Sequence, residues 1–258
     1  MPKVTSRDGT VIAYDKKGEG PVLIVVLGAL NKRGSGKKYA EALKETFMVV
    51  NYDRRGRGDS TEVLPYSTDK EVEDIEALID ELGGKAYLYG HSSGSVLVLK
   101  AAQKLGDKVA GIAVYELPYN GESEGLKQHD EYAKTLRAAL AAEERGEAVS
   151  LFVKSVGVTD NQINAMKKLP MWKGLTAMAP TLAYDTIALM EEYSTLDVSD
   201  VQASALVMYG GDSPAFMGET ATRLSEALPH ATLEKLEGQW HDVKAEAIAP
   251  LLIAKFAH

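Results

Sequence analysis

Six consecutive apolar residues, Val22-Leu23-Ile24-Val25-Val26-Leu27, follow a turn at Gly18-Glu19-Gly20-Pro21. The run does not alternate apolar with polar, so it reads as a strand covered on both faces, the situation of a parallel sheet packed between helices. It is far too short to span a bilayer. Further strand signals fall at residues 11–14, 47–52, 86–89, 109–115, 205–209 and 232–236. Between them lie helical stretches: 37–44, the periodic set Val72, Ile75, Leu78, Ile79 and Leu82 closed by Gly83-Gly84, then 96–105, 218–228 and 245–256. Strands separated by helices make βαβ units and a mainly parallel sheet.

The alternation stops after Pro118. Residues 119–185 show no strand signal and several helical ones, at 129–144, 147–156, 161–168 and from 181 onward. The simplest organisation is one α/β core, residues 1–118 and 186–258, carrying a helical cap at 119–185. At 258 residues the chain suits one large domain with an insertion.

Composition narrows the chemistry. There is no cysteine, which removes disulfides, thiolate metal sites and a cysteine nucleophile. No metal-ligand spacing occurs, and neither a metal nor any other cofactor is expected. The formal net charge of −8 argues against a general nucleic-acid binder. The first eight residues have no apolar core of the signal-peptide kind, so a cytoplasmic protein acting on a small molecule, away from membranes, is expected. Gly34-Ser35-Gly36-Lys37-Lys38 is not a phosphate loop, because Asn31 and Lys38 replace the required Gly and Ser/Thr.

The sharpest motif is Gly90-His91-Ser92-Ser93-Gly94, a G-x-S-x-G sequence between a strand and an apolar helix. A serine on so tight a turn is pushed out above the sheet edge, and its crowded neighbours must be small. Serine near its free pKa needs an adjacent base. Of the five histidines, His258 is terminal, His230 precedes a strand, His129 lies in a cap helix and His91 belongs to the turn itself. His241, in Gly238-Gln239-Trp240-His241-Asp242 after the last strand, can reach back to Ser92.

With these residues the chain resembles the α/β-hydrolase-fold proteins. The resemblance is carried by Leu27-Gly28-Ala29, by Asp53-Arg54-Arg55-Gly56-Arg57-Gly58-Asp59-Ser60 (similar to D-x-R-G-x-G-x-S), by the Gly90–Gly94 turn, and by Gly238 to His241. It implies a mainly parallel eight-stranded sheet flanked by helices, with Ser92 as nucleophile and His241 as base. It also implies an oxyanion hole from the backbone N–H groups of Ala29 and Ser93.

The acid departs from the family pattern. The usual offset in Tyr209-Gly210-Gly211-Asp212-Ser213 puts Ser213 at the acid's place and Asp212 one residue early. An alternative family position, after the strand that follows the elbow, offers Glu116. Glu116 is the first candidate, Asp212 the second and Asp185 the third.

Leu30 and Trp172 are candidate substrate contacts, with Tyr119, Met171, Met178 and Tyr184 in the same region. Lys32, Arg33, Arg54, Arg55 and Arg57 are expected as solvated loop charges or in internal salt bridges more than as binders of acidic substrates. The implied activity is hydrolysis of a small ester, thioester or lactone through an acyl-enzyme. The alternatives are a non-catalytic ligand-binding protein of the same fold, or a lyase, a carbon–carbon hydrolase or a cofactor-free haloperoxidase-like enzyme using the same site. Asp-nucleophile branches are disfavoured because position 92 is Ser.

Overall fold

Strand pairing is what organises the chain. In the computed structural model, which describes residues 1–119, 123–192 and 197–257, eight strands form one sheet in the order β1-β2-β4-β3-β5-β6-β7-β8. They are β1 (Lys3–Thr5), β2 (Val11–Lys17), β3 (Val22–Val26), β4 (Met48–Tyr52), β5 (Ala86–His91), β6 (Val109–Tyr115), β7 (Ser204–Gly210) and β8 (Ala231–Leu236). β1 and β2 pair antiparallel, as do β2 and β4, and every other pairing is parallel. Three-residue β1 has no readable sequence signal, and only its pairing with β2 defines it.

All five residues of β3 are buried, and successive side chains go to opposite faces. Ile24 and Val26 join a cluster with Ile75 and Leu78 of α2 (Thr68–Glu81) and Leu97 and Leu99 of α3 (Gly94–Leu105). Leu23 and Val25 join the opposite cluster, with Tyr39 and Leu43 of α1 (Lys37–Leu43) and with Ile248 and Leu252 of the closing helix Ala245–Phe256. The non-alternating run is thus one strand feeding two cores. Strand order reverses between β3 and β5, so the crevice beyond their carboxyl ends lies at the switch point where such sheets place ligands.

Among the described residues, the segment between β6 and β7 is helical: α4 (Ser123–Ala141), α5 (Arg145–Ser155), α6 (Asp160–Met166), α7 (Met171–Met178) and α8 (Leu182–Thr186), which continues as a π-helical turn over Ile187–Glu192. Thr159 caps α6, accepting from the Gln162 N–H while the Gln162 side chain accepts from the Thr159 N–H. The sequence offers no clear signal for α7, which buries only Met178. Leu136, Val149, Ile163 and Leu182 form a core of their own for this segment, and Ala29 and Leu30 of the main domain pack against it. The helical run from Leu182 crosses the boundary expected at Asp185, and residues 120–122, beside the expected start at Tyr119, lie outside the described residues. No helix among the described residues is long and apolar enough to cross a membrane.

Helix α3 starts so close to β3 that a Cβ on Gly94 would overlap the Val26 carbonyl oxygen. Gly94→Ala is therefore expected to cost about 1–3 kcal/mol in a denaturant titration. Gly174→Ala, inside α7 with nothing within 4 Å of the added methyl, is expected to stabilise by about 0.5–1 kcal/mol.

Candidate active site

β5 ends at His91 and α3 begins at Gly94, which leaves a two-residue turn. Ser92 has φ 57°, the left-handed region that costs an L-residue energy. The turn is held by backbone bonds: the Ser92 N–H donates to the Tyr115 carbonyl at 3.0 Å, and the Ser95 N–H donates to Ser92 O at 2.9 Å. A Cβ on Gly90 would lie 2.7 Å from Ser95 Cα, which explains the first glycine of the motif as Gly94's position explains the last.

The loop after β3 lies against this turn. A Cβ on Gly28 would stand 2.8 Å from Ser92 Cβ and 3.1 Å from Ser92 Oγ. Among the described residues, neither the Ala29 nor the Ser93 backbone N–H has a protein acceptor, so both donors are open. Leu30 follows at φ 54°, and Asn31 Nδ2 donates to the Ala29 carbonyl at 3.0 Å.

The three carboxylate candidates separate cleanly. Glu116, one residue beyond β6, is 2% exposed and also left-handed, with φ 47°. Its Oε1 accepts from the Gly210 N–H at 2.8 Å, and its Oε2 lies 2.8 Å from His241 Nδ1. Burial alone would raise this carboxyl. The bonds from His241 and from the Gly210 N–H outweigh it and hold the group below the usual carboxylate range. Asp212 is exposed, and only its backbone N–H is tied to the histidine loop, at Gln239 O. Asp185 is buried among arginines. Ser213 therefore stands at the family's usual acid offset, and its Oγ has no hydrogen-bond partner among the described residues.

The loop bearing His241 is pinned through consecutive carbonyls. Tyr115 Oη donates to Trp240 O at 2.7 Å, and His91 Nε2 lies 2.9 Å from His241 O, bonded as a donor. The His91 and His241 rings are 5.0 Å apart. Ser92 Oγ and His241 occupy adjacent turns, with no hydrogen bond between them among those the described residues make. The sequence suggested no role for His91 beyond the elbow, and its position next to Ser92 was the available signal. Desolvation and the neighbouring His241 ring push the His91 imidazole down to about 3.

The arginines of the loop after β4 are committed inward. Arg55 pairs with Asp74 and Asp8, Arg54 with Glu71 and Asp185, and Arg57 with Asp185. Arg33 pairs with Asp53, Asp15 and Asp59. Trp172 is half-buried against the core of the helical segment, beside Gly146 and with Lys167 over its ring, while Ala29 and Leu30 pack on the same core from the main domain. Tyr184 stacks on Tyr66 with ring centroids 4.0 Å apart and donates to Glu62. Met171 is 52% exposed, Met178 is buried, and Tyr119 packs on the sheet side. His258 lies outside the described residues. No cluster of potential metal ligands occurs among the described residues.

A model of the alpha/beta hydrolase family matches residues 31–249. An α/β hydrolase structure from Sphaerobacter thermophilus superposes with a TM-score of 0.86 at 39% identity, covering 99% of this chain and 100% of that one. The (E)-2-((N-methylformamido)methylene)succinate hydrolase of Acinetobacter baylyi is 24% identical over 248 residues, which is 91% of this chain and 88% of that protein. The enol-lactonase of Burkholderia xenovorans shares the fold, with a TM-score of 0.72 at 19% identity over the whole of both chains.

A His91 ring held neutral in the fold binds fewer protons than it does unfolded. Its contribution to stability is therefore complete above the ordinary pKa of 6.5 and is lost as pH falls toward 3. The melting temperatures of wild type and His91→Asn should differ most near neutral pH and converge on acidification through that window. A gap that stays constant with pH would show that the ring carries no such linkage.

Proposed function

The chain belongs to the alpha/beta hydrolase family, and from that premise we propose that it is a serine hydrolase cleaving a small ester, thioester or lactone through an acyl-enzyme intermediate. The observation that carries this reading is the buried Glu116 carboxylate 2.8 Å from His241 Nδ1, beside a serine in a left-handed elbow. With Nδ1–H engaged by Glu116, the lone pair that serves as base is on Nε2.

In this mechanism Ser92 Oγ attacks the substrate carbonyl while His241 Nε2 takes its proton. The developing oxyanion is received by the open N–H groups of Ala29 and Ser93. His241 then protonates the leaving oxygen or sulfur, which departs and leaves an ester on Ser92. Water then attacks the ester carbonyl while giving a proton to His241, which passes it to Ser92 Oγ as the carbon–oxygen bond breaks and the acid is released. Glu116 orients the ring and stabilises the imidazolium. Leu30, which packs on the helical segment next to Ala29, and Trp172 of that segment are the proposed acyl contacts.

The name of the Acinetobacter baylyi relative favours a second substrate class for the same machinery. Its substrate carries an N-substituted formamide and two carboxylates, and acyl transfer to serine applies to amides as to esters. A carboxylated N-acyl enamine is accordingly the second substrate to assay.

A fluorophosphonate should form an adduct on Ser92 of the folded protein, located by peptide mass mapping, and Ser92→Ala should lower esterase turnover by roughly 10⁶. Folded protein with no adduct at Ser92 would leave the non-catalytic binding reading in its place. Glu116→Gln should reduce kcat by about 10⁴, whereas Asp212→Asn should remain within about twofold of wild type. The reverse order would reassign the acid.

A further inference from the structure

Two peptide groups supply the open donors beside Ser92, and both are held from behind by one buried ion cluster. Arg57 Nη1 donates to the Gly28 carbonyl at 2.7 Å, and Arg54 Nη1 donates to the Leu27 carbonyl at 3.3 Å. Across a trans peptide the C=O of one residue and the N–H of the next point in opposite directions. A guanidinium fixed on Gly28 O therefore turns the Ala29 N–H the other way. Ser93, the second donor, gives its hydroxyl hydrogen to Asp185 Oδ1 at 2.6 Å.

The same Asp185 carboxylate accepts from Arg54 Nη1 at 2.8 Å through Oδ1 and from Arg57 Nη2 at 2.8 Å through Oδ2. Glu71 binds the far side of Arg54 and also accepts from Tyr66. Two guanidiniums and two carboxylates make a neutral set with side chains at most 6% exposed. Arg57 keeps its bond to Gly28 O while its own Nε–H has no partner among the described residues. Its placement serves the Gly28 carbonyl and Asp185 ahead of full pairing of the guanidinium.

We infer that Arg57 and Asp185 are positioning residues for the oxyanion hole: Arg57 sets the plane of the Gly28–Ala29 peptide, and Asp185, reaching in from the helical segment, locks Arg57 and the Ser93 hydroxyl together so that both N–H donors converge on one oxygen. This rests on the serine-hydrolase reading above. Neither residue touches substrate, and each acts through a backbone donor.

The test uses the full chain with p-nitrophenyl acetate as substrate and active sites counted by fluorophosphonate titration. Arg57→Met should lower kcat by about 10²–10³, the loss typical of one oxyanion donor. KM should stay within a few fold, and the pH midpoint of kcat should not move. Binding of a trifluoromethyl ketone, which imitates the tetrahedral adduct, should weaken in parallel with kcat. Arg57→Lys, able to keep one N–H on Gly28 O, should recover part of the rate.

A folded Arg57→Met enzyme with wild-type kcat overturns the inference, and so does a loss expressed in KM or in the pH midpoint alone. Should Arg57→Met fail to fold, Ser93→Ala removes only the hydroxyl–Asp185 bond and leaves every buried charge paired. It should lower kcat at constant KM, and an unchanged kcat overturns the role of Asp185. If Ser92→Ala keeps the wild-type rate or Ser92 takes no phosphonate, the serine-hydrolase reading falls and the inference with it. If Ser92 is labelled and Arg57→Met and Ser93→Ala are both silent, only the inference falls.

Discussion

The molecule depends on parallel strands sealed on both faces. Because β3 through β8 all run the same way, every crossover starts at one edge of the sheet, and chemistry-bearing residues placed just after a strand collect there. Ala29 follows β3, Ser92 follows β5, Glu116 follows β6 and His241 follows β8. Three of these ends are tightened further, since Leu30, Ser92 and Glu116 are left-handed although none is glycine. Such residues cost about 1–3 kcal/mol each and persist only where the surroundings over-determine them. Here the surroundings are the backbone bonds of Ser92 to Tyr115 O and of the Glu116 N–H to Met208 O.

Buried charge is the second organising element. Arg54, Arg57, Glu71 and Asp185 have given up hydration, and their mutual attraction offsets that cost only because each charge has a partner. Burial alone would raise the Asp185 carboxyl, and the charges of Arg57 and Arg54 more than reverse it. Removing one member of such a set typically costs about 3–5 kcal/mol. The set therefore fastens the last helix of the inserted segment to the loops after β3 and β4 in one geometry. It also explains why a cluster of arginines near the site creates no open anion-binding surface.

Legibility from sequence followed the range of the signal. The β3 run and the elbow are local patterns, and both appear where they were read, with shifts of a few residues at element ends. The candidate base was picked out because the position of His241 after the last strand can be counted, and the structure puts its Nδ1 2.8 Å from Glu116. The choice between Glu116 and Asp212 was not settled by counting, because adjacent residues on a tight loop face different ways and only the fold shows which one meets Nδ1. Helix α7 escaped notice because one buried methionine makes no stripe. Salt bridges were expected of Arg54 and Arg57, but their shared partner was not legible, because Asp185 is 131 and 128 residues away. Pairings of that separation leave no periodicity in the chain.

The distance along the chain between Glu116 and His241 also sets a timetable. They are 125 residues apart, and at about 5–20 residues per second of synthesis the carboxylate waits roughly 6–25 s for its imidazole. Gly210, whose N–H also binds Glu116, lies 94 residues beyond it, so for most of that interval β6 has no completed β7 beside it and the carboxylate is still hydrated. The core strands can pair while the chain is growing, but the Glu116–His241 pair can form only after β8 has been made. A nascent chain of this protein is thus built as an inert scaffold first, and the residues proposed to react meet only once all eight strands of the sheet exist.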